Sequence, residues 1–197
     1  FTGGMANGRK IAEGLAARGA PMVAELSGYD PAIVLPDCPL EPTARALAWA
    51  SFVGAGQTCV AIKRVYIVGD DRPWANALAT LARNLRVGNP ASSDIDVGPM
   101  ISERARECFH RSIEASVSAG AELLAGGSML DGPGWFYRPT VLRATDDRPE
   151  RILEGVFGPV LVVRGVIDLQ FVKFRLAILP KSPIRRRTGD FHRNLTT

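Results

Sequence analysis

Long hydrophobic runs are missing from this 197-residue chain. No uninterrupted apolar stretch approaches the roughly 20 residues that a bilayer-spanning helix needs, so no membrane partner is expected. Cysteine is scarce. The three thiols, Cys38, Cys59 and Cys108, are odd in number and widely spaced, which argues against a disulfide framework and for a reducing, cytoplasmic compartment. No CxxC pair or Cys/His cluster is present, so no zinc site is expected. A leader pattern is missing too: the chain opens Phe1-Thr2-Gly3-Gly4, with neither a charged n-region nor an apolar h-region. It does not begin with Met, and we expect it to start within a longer protein.

What is present describes a folded α/β chain. Hydrophobic residues make up 46% and charged residues 22%, ordinary globular values that exclude disorder as the main state. The formal charge of +4 is unevenly spread. From Val166 onward Lys173, Arg175, Lys181, Arg185, Arg186, Arg187 and Arg193 stand against only Asp168 and Asp190. A basic tail can bind nucleic acid or an anionic membrane, but a solvated tail is the reading we favour, and no specific nucleic acid partner is expected.

Hydrophobic spacing predicts helices over Arg9–Arg18, Leu40–Phe52, Trp74–Asn84 and from the N-cap Ser102 to about Ala119, with Gly19 and Gly120 as stops. Strands are predicted at Pro21–Leu26, Ala32–Leu35, Lys63–Val68, Ala121–Leu124 and Phe136–Leu142, the last kinked or placed at an edge by Pro139. The alternation predicts an α/β fold with a parallel or mixed sheet.

Four segments carry candidate chemistry. Gly3-Gly4-Met5-Ala6-Asn7-Gly8 opens a helix and could cradle an anion at its N-terminus, although alone it is also an ordinary glycine-rich turn. Glu25, at the end of an apolar run, is expected to be partly desolvated, which would raise its pKa toward that of a general base; a strand-end glutamate facing water is the other reading. Cys59 follows Gly54-Ala55-Gly56-Gln57-Thr58, where glycines could hold a thiol on a tight exposed loop able to attack a carbonyl. Free cysteines are more often buried and structural, and Cys38 and Cys108 fit that description better. Phe157-Gly158-Pro159-Val160, by itself, is a turn before a strand.

Taken in order and with their spacings, these segments resemble the aldehyde dehydrogenase superfamily. Phe1-Thr2-Gly3-Gly4 is similar to its FTG(S/G) signature, Glu25-Leu26-Ser27-Gly28 to its ELGG element, Gly56-Gln57-Thr58-Cys59 to its GQxC loop, and Phe157-Gly158-Pro159 to its EExFGP segment. Asp30-Pro31, Lys63-Arg64-Val65, Val87-Gly88-Asn89-Pro90, Gly98-Pro99-Met100-Ile101, Gly126-Gly127 and Arg138-Pro139-Thr140-Val141-Leu142 agree with it. The resemblance runs from Phe1 to about Val163, and after about Arg164 it is expected to stop.

The resemblance implies a fold and a chemistry. Residues 1–27 would be a remnant of a Rossmann-like dinucleotide-binding domain, residues 28–164 the nucleophile-bearing catalytic domain, and residues 165–197 a divergent basic tail, which we expect to arise from a frameshift or assembly error. Cys59 would add to a small-molecule aldehyde, hydride would leave to NAD or NADP, and Glu25 would activate the water that hydrolyses the thioester. Gly3 and Gly4 would lie near the nicotinamide, the Leu26 backbone would contact its carboxamide, and Phe157 would pack near its ribose. The parent enzyme would be a homodimer or homotetramer. Gly155 stands where the family has a second, ribose-binding glutamate, and a glycine cannot accept those hydrogen bonds. Two other outcomes stay open for the chain by itself: cofactor-independent thioesterase or esterase activity from Cys59 and Glu25, and an inert or merely binding fragment.

Overall fold

The computed structural model describes residues 1–26 and 28–167. The tail beyond Ile167 lies outside the described residues. Among the described residues eleven elements follow in chain order: helix α1 (Met5–Ala16), strand β1 (Asp30–Val34), helix α2 (Leu40–Phe52), a 3-10 turn (Val53–Gly56), β2 (Ile62–Val68), α3 (Arg72–Asn84), α4 (Glu103–Ser118), β3 (Glu122–Ala125), β4 (Thr140–Arg143), α5 (Arg148–Ile152) and β5 (Val160–Val166).

Local chemistry sets several of these limits. Ser102 caps α4, its side chain accepting from the Ala105 N–H at 3.1 Å. Helices α1 and α4 end alike. Ala20 N–H donates to Leu15 and Gly19 N–H to Ala16; Ala121 donates to Ser116 and Gly120 to Val117. In each the glycine carries the positive φ that this paired C-terminal bonding requires, +63° at Gly19 and +106° at Gly120.

The five strands form one mixed sheet in the order β1-β2-β5-β4-β3, parallel throughout except for the antiparallel edge strand β3. Alternation along β5 divides two cores. Leu161 and Val163 face one side with Val65, Ile67 and Val141, under α2 and α3, which contribute Leu47, Phe52, Leu78 and Ala79. Val160 and Val162 face the other side with Leu142, under Phe109 and Ile113 of α4. A clip joins three strand ends: the Arg143 guanidinium donates to both Asp71 carboxylate oxygens at 3.0–3.1 Å, and Gly165 N–H donates to Asp71 at 2.9 Å.

Some sequence expectations change. Helix α1 starts at Met5, not Arg9, and of its residues only Gly8 is buried, so its apolar stripe stays uncovered, with Ile11 38% exposed. Pro21–Leu26 is not a strand: it makes one isolated bridge, Thr2 with Glu25, because among the described residues only Phe1–Gly3 runs beside it. The expected strand from Phe136 begins only at Thr140. Pro139 has no N–H to donate, and upstream of it Tyr137 makes one antiparallel bridge to Met129. Strand β4 lies inside the sheet, so the proline acts as a break and not as an edge marker.

Candidate active site

Helix α2 runs into the sharpest backbone feature of the chain. Gly54, Ala55 and Gly56 take successive left-handed conformations, with φ of +60°, +53° and +63°. For a residue with a Cβ this conformation costs roughly 1–2 kcal/mol, yet Ala55 adopts it while 1% exposed. Backbone strain of this kind persists only where its surroundings over-determine it. The outcome is a reversal that throws Gln57-Thr58-Cys59 outward before β2 begins.

Three contacts fix that loop. A Cβ placed on Gly56 would lie 2.2 Å from the Gly158 carbonyl oxygen, so the loop backbone presses directly on the Phe157-Gly158-Pro159 segment. The Lys63 Nζ, 4% exposed, donates to the carbonyls of both Gly56 and Gly158, the latter at 2.7 Å, and burial pushes its pKa down to about 8. Gln57 accepts from Ile101 N–H at 2.9 Å and donates to the Gly54 carbonyl at 3.3 Å, tying the loop to Gly98-Pro99-Met100-Ile101. Cys59 sits in the turn closed by Ala61 N–H to Thr58 O at 3.1 Å, with its side chain exposed.

The other cysteines divide. Cys38 is partly buried against the α2–α3 core. Cys108, expected to be buried, is exposed: it lies on the outer face of α4, where the Arg111 guanidinium donates to its sulfur at 3.0 Å. Helix membership was legible for it, but the face was not.

The segment carrying Glu25 meets both ends of the site. Glu25 N–H donates to Phe1 O at 2.9 Å and Gly3 N–H donates to Glu25 O at 3.0 Å, so Gly3, Gly4 and Glu25 are neighbours. Leu26 packs on α1, where a Cβ on Gly8 would lie 2.5 Å from the leucine methyl. Gly28 approaches the Cys59 loop, its hypothetical Cβ 3.6 Å from the Cys59 carbonyl oxygen. The Glu25 side chain is exposed and, among the described residues, its carboxylate makes no hydrogen bond, so of the two readings the glutamate facing water is the one found. Phe157 is 42% exposed, beside the buried Gly158.

For an anionic dinucleotide the α1 end is suitable. Gly4 is its N-cap, no side chain caps the free amides, no acidic residue occupies the first turn, and a Cβ on Gly4 would meet nothing within 4 Å. Gly155 has a φ of +75°, so the residue in the glutamate's place also holds a turn conformation that suits glycine. Among the described residues no cluster of His, Cys, Asp and Glu could hold a metal. Lys63 is the site residue whose role sequence reasoning missed. Its signal was a pair of basic residues, Lys63-Arg64, inside the run from Val60-Ala61-Ile62 to Val65-Tyr66-Ile67.

Comparison with known proteins matches residues 1–172 to the aldehyde dehydrogenase family, past Arg164, where the sequence reading had ended the resemblance. A succinate-semialdehyde dehydrogenase [NADP(+)] of Mycobacterium avium is 37% identical over 151 residues, 76% of this chain and 32% of that protein. An acylating mitochondrial methylmalonate-semialdehyde dehydrogenase of Arabidopsis thaliana is 36% identical over 166 residues, covering 82% and 27%. Among solved structures, the NAD+ complex of an aldehyde dehydrogenase from Bacillus cereus superposes with a TM-score of 0.84 at 30% identity, covering 89% of this chain and 36% of that one. Lactaldehyde dehydrogenase from Escherichia coli gives 0.82 at 32%, covering 86% and 36%. The chain thus spans about a third of the length of the curated relatives it matches.

Proposed function

The chain belongs to the aldehyde dehydrogenase family, and from that premise we propose that it carries the nucleophile-bearing core of an NAD(P)-dependent enzyme that oxidises a small-molecule aldehyde to the carboxylic acid. The observation that carries this reading is the loop of Cys59: a thiol held exposed on a strained, triply anchored turn. A structural cysteine has no need of such anchoring.

In this mechanism the Cys59 thiolate adds to the aldehyde carbon and gives a hemithioacetal, with backbone N–H groups of the loop near the developing oxyanion. A dinucleotide, when bound, would supply the hydride acceptor, a capacity no side chain has. Cys59 would then carry the oxidised acyl group as a thioester. Glu25 then takes a proton from water, the hydroxyl oxygen adds to the thioester carbon, and the thiolate leaves as the acid forms. Gly3 and Gly4, at the open N-terminus of α1, would hold the dinucleotide with the Leu26 backbone and Phe157; the uncapped amides there support this assignment.

We assign residues 1–27 to a cofactor-binding unit and 28–164 to the catalytic unit. The sparse burial of α1, against the two-sided core of the sheet, supports that division. The parent enzyme is proposed to be a cytoplasmic homodimer or homotetramer, consistent with three free thiols and an exposed apolar surface that includes Trp49 on α2, 72% exposed. No described helix is long and apolar enough to cross a membrane.

The test is covalent trapping. Incubation with an aldehyde and NAD or NADP, followed by mass spectrometry, should place an acyl adduct on Cys59 that is absent in Cys59→Ser and without dinucleotide. An adduct on Cys108 or Cys38 instead would reject the assignment. Ester turnover that needs Cys59 but not dinucleotide would favour a cofactor-independent thioesterase.

A further inference from the structure

Lys63 is unusual among the buried groups. It lies on β2, an interior strand of the sheet, is 4% exposed, and pairs with no carboxylate among the described residues. Burying an ammonium without a counter-ion is unfavourable, as its lowered pKa reflects, and a Met or Leu would fill the same space without that penalty. Its two hydrogen bonds supply the reason for a lysine. The Gly56 and Gly158 carbonyl oxygens both converge on the one ammonium, and two dipole ends of like sign brought to one point repel. A cation donating to both turns that repulsion into attraction.

We propose that Lys63 is a positioning residue for the nucleophile: its ammonium clasps the Gly56 carbonyl to the Gly158 carbonyl and so holds the loop presenting Cys59 in register with the Phe157 segment. This rests on reading Cys59 as the nucleophile. Lys63 acts through the loop and through the Phe157-Gly158-Pro159 segment, and it serves as neither acid nor base. The Gln57 contact does not substitute for it, because Gln57 ties the loop to Ile101 and not to Gly158.

The test compares the whole chain with Lys63→Met, which keeps an unbranched stem without donors, and with Lys63→Gln, which restores an N–H donor pair one bond closer to the backbone. Backbone amide exchange read by mass spectrometry should accelerate by about tenfold or more over residues 54–61 and 156–158 in the Met variant, with α2, α3 and α4 changed by less than about twofold. Acylation of Cys59 by aldehyde and dinucleotide should fall by about tenfold in the Met variant and be partly restored in the Gln variant. Unchanged exchange in both segments, or equal acceleration everywhere, overturns the proposal. Should the variants fail to fold, the wild-type chain decides: a slowly exchanging lysine ammonium visible by 1H–15N NMR at neutral pH supports the clasp, and its absence refutes it. If Cys59 is never acylated in the wild-type chain, the catalytic reading fails, while the exchange result still reports on the clasp alone.

Discussion

The loop that presents Cys59 and the segment that carries Glu25 are held in opposite ways. The loop is anchored by Lys63 to Gly158, by Gln57 to Ile101, and by the tight Gly56–Gly158 approach. The Glu25 segment has one isolated bridge to Thr2 and a leucine resting on α1, with its carboxylate in solvent. The loop of Cys59 is thus fixed by contacts made inside residues 28–167. The Glu25 segment rests on surfaces that α1 and its neighbours supply only thinly. In the proposed mechanism, one partner is firmly held while the other is placed by a separate unit.

The largest effect should come from breaking the rigid side at its closest contact. Gly56→Ala places a methyl group against the Gly158 carbonyl at a position with φ of +63°, and should destabilise the chain by roughly 2–5 kcal/mol, read from the urea midpoint. Below the transition it should also alter the rate of Cys59 alkylation while leaving that of Cys108 unchanged.

A somewhat smaller effect concerns Lys63 and pH. Its folded-state pKa, about 8, lies below the unfolded value of 10.5. Between those values the unfolded chain binds the proton and the folded chain does not. Stability should therefore rise with pH across this window, by on the order of 3 kcal/mol in all. The stability difference between wild type and Lys63→Met, followed from pH 7 to 11, isolates the contribution; a difference that does not change with pH would contradict it.

On the loose side, Leu26→Ala removes the methyls packed on Gly8 and should cost about 1 kcal/mol or less, because Leu26 is only partly buried. Faster proteolysis within residues 1–26, with the sheet intact, would register it. The smallest structural effect belongs to Glu25→Gln, which should shift stability by no more than about 0.5 kcal/mol because the side chain is exposed. The same variant should retain the Cys59 acyl adduct far longer than wild type if Glu25 activates water. Rapid decay in both would remove Glu25 from its proposed role.

Much of this was legible in local sequence. The bounds of α2, the Ser102 cap and the glycine stops at Gly19 and Gly120 each depend on a few adjacent residues, so spacing and cap chemistry reveal them. Three readings that depended on what lies opposite in the fold failed. Pro21–Leu26 has strand-like composition but little to pair with. Cys108 was placed on a helix, but its exposure follows from which face α4 turns toward Phe109's core. Glu25 ends an apolar run that is only partly covered among the described residues, and its side chain stays exposed.

By itself, the sequence determined the family resemblance and the α/β class, and it singled out the Gly56-Gln57-Thr58-Cys59 loop as the candidate, because these reside in residue type and short spacing. Only the tertiary structure decided that Gly158 closes on Gly56, that Lys63 is the cation between them, and that the thiol is rigidly held while the carboxylate is not. Those facts depend on contacts between residues far apart in the chain, and such contacts exist only once β2 and β5 lie side by side.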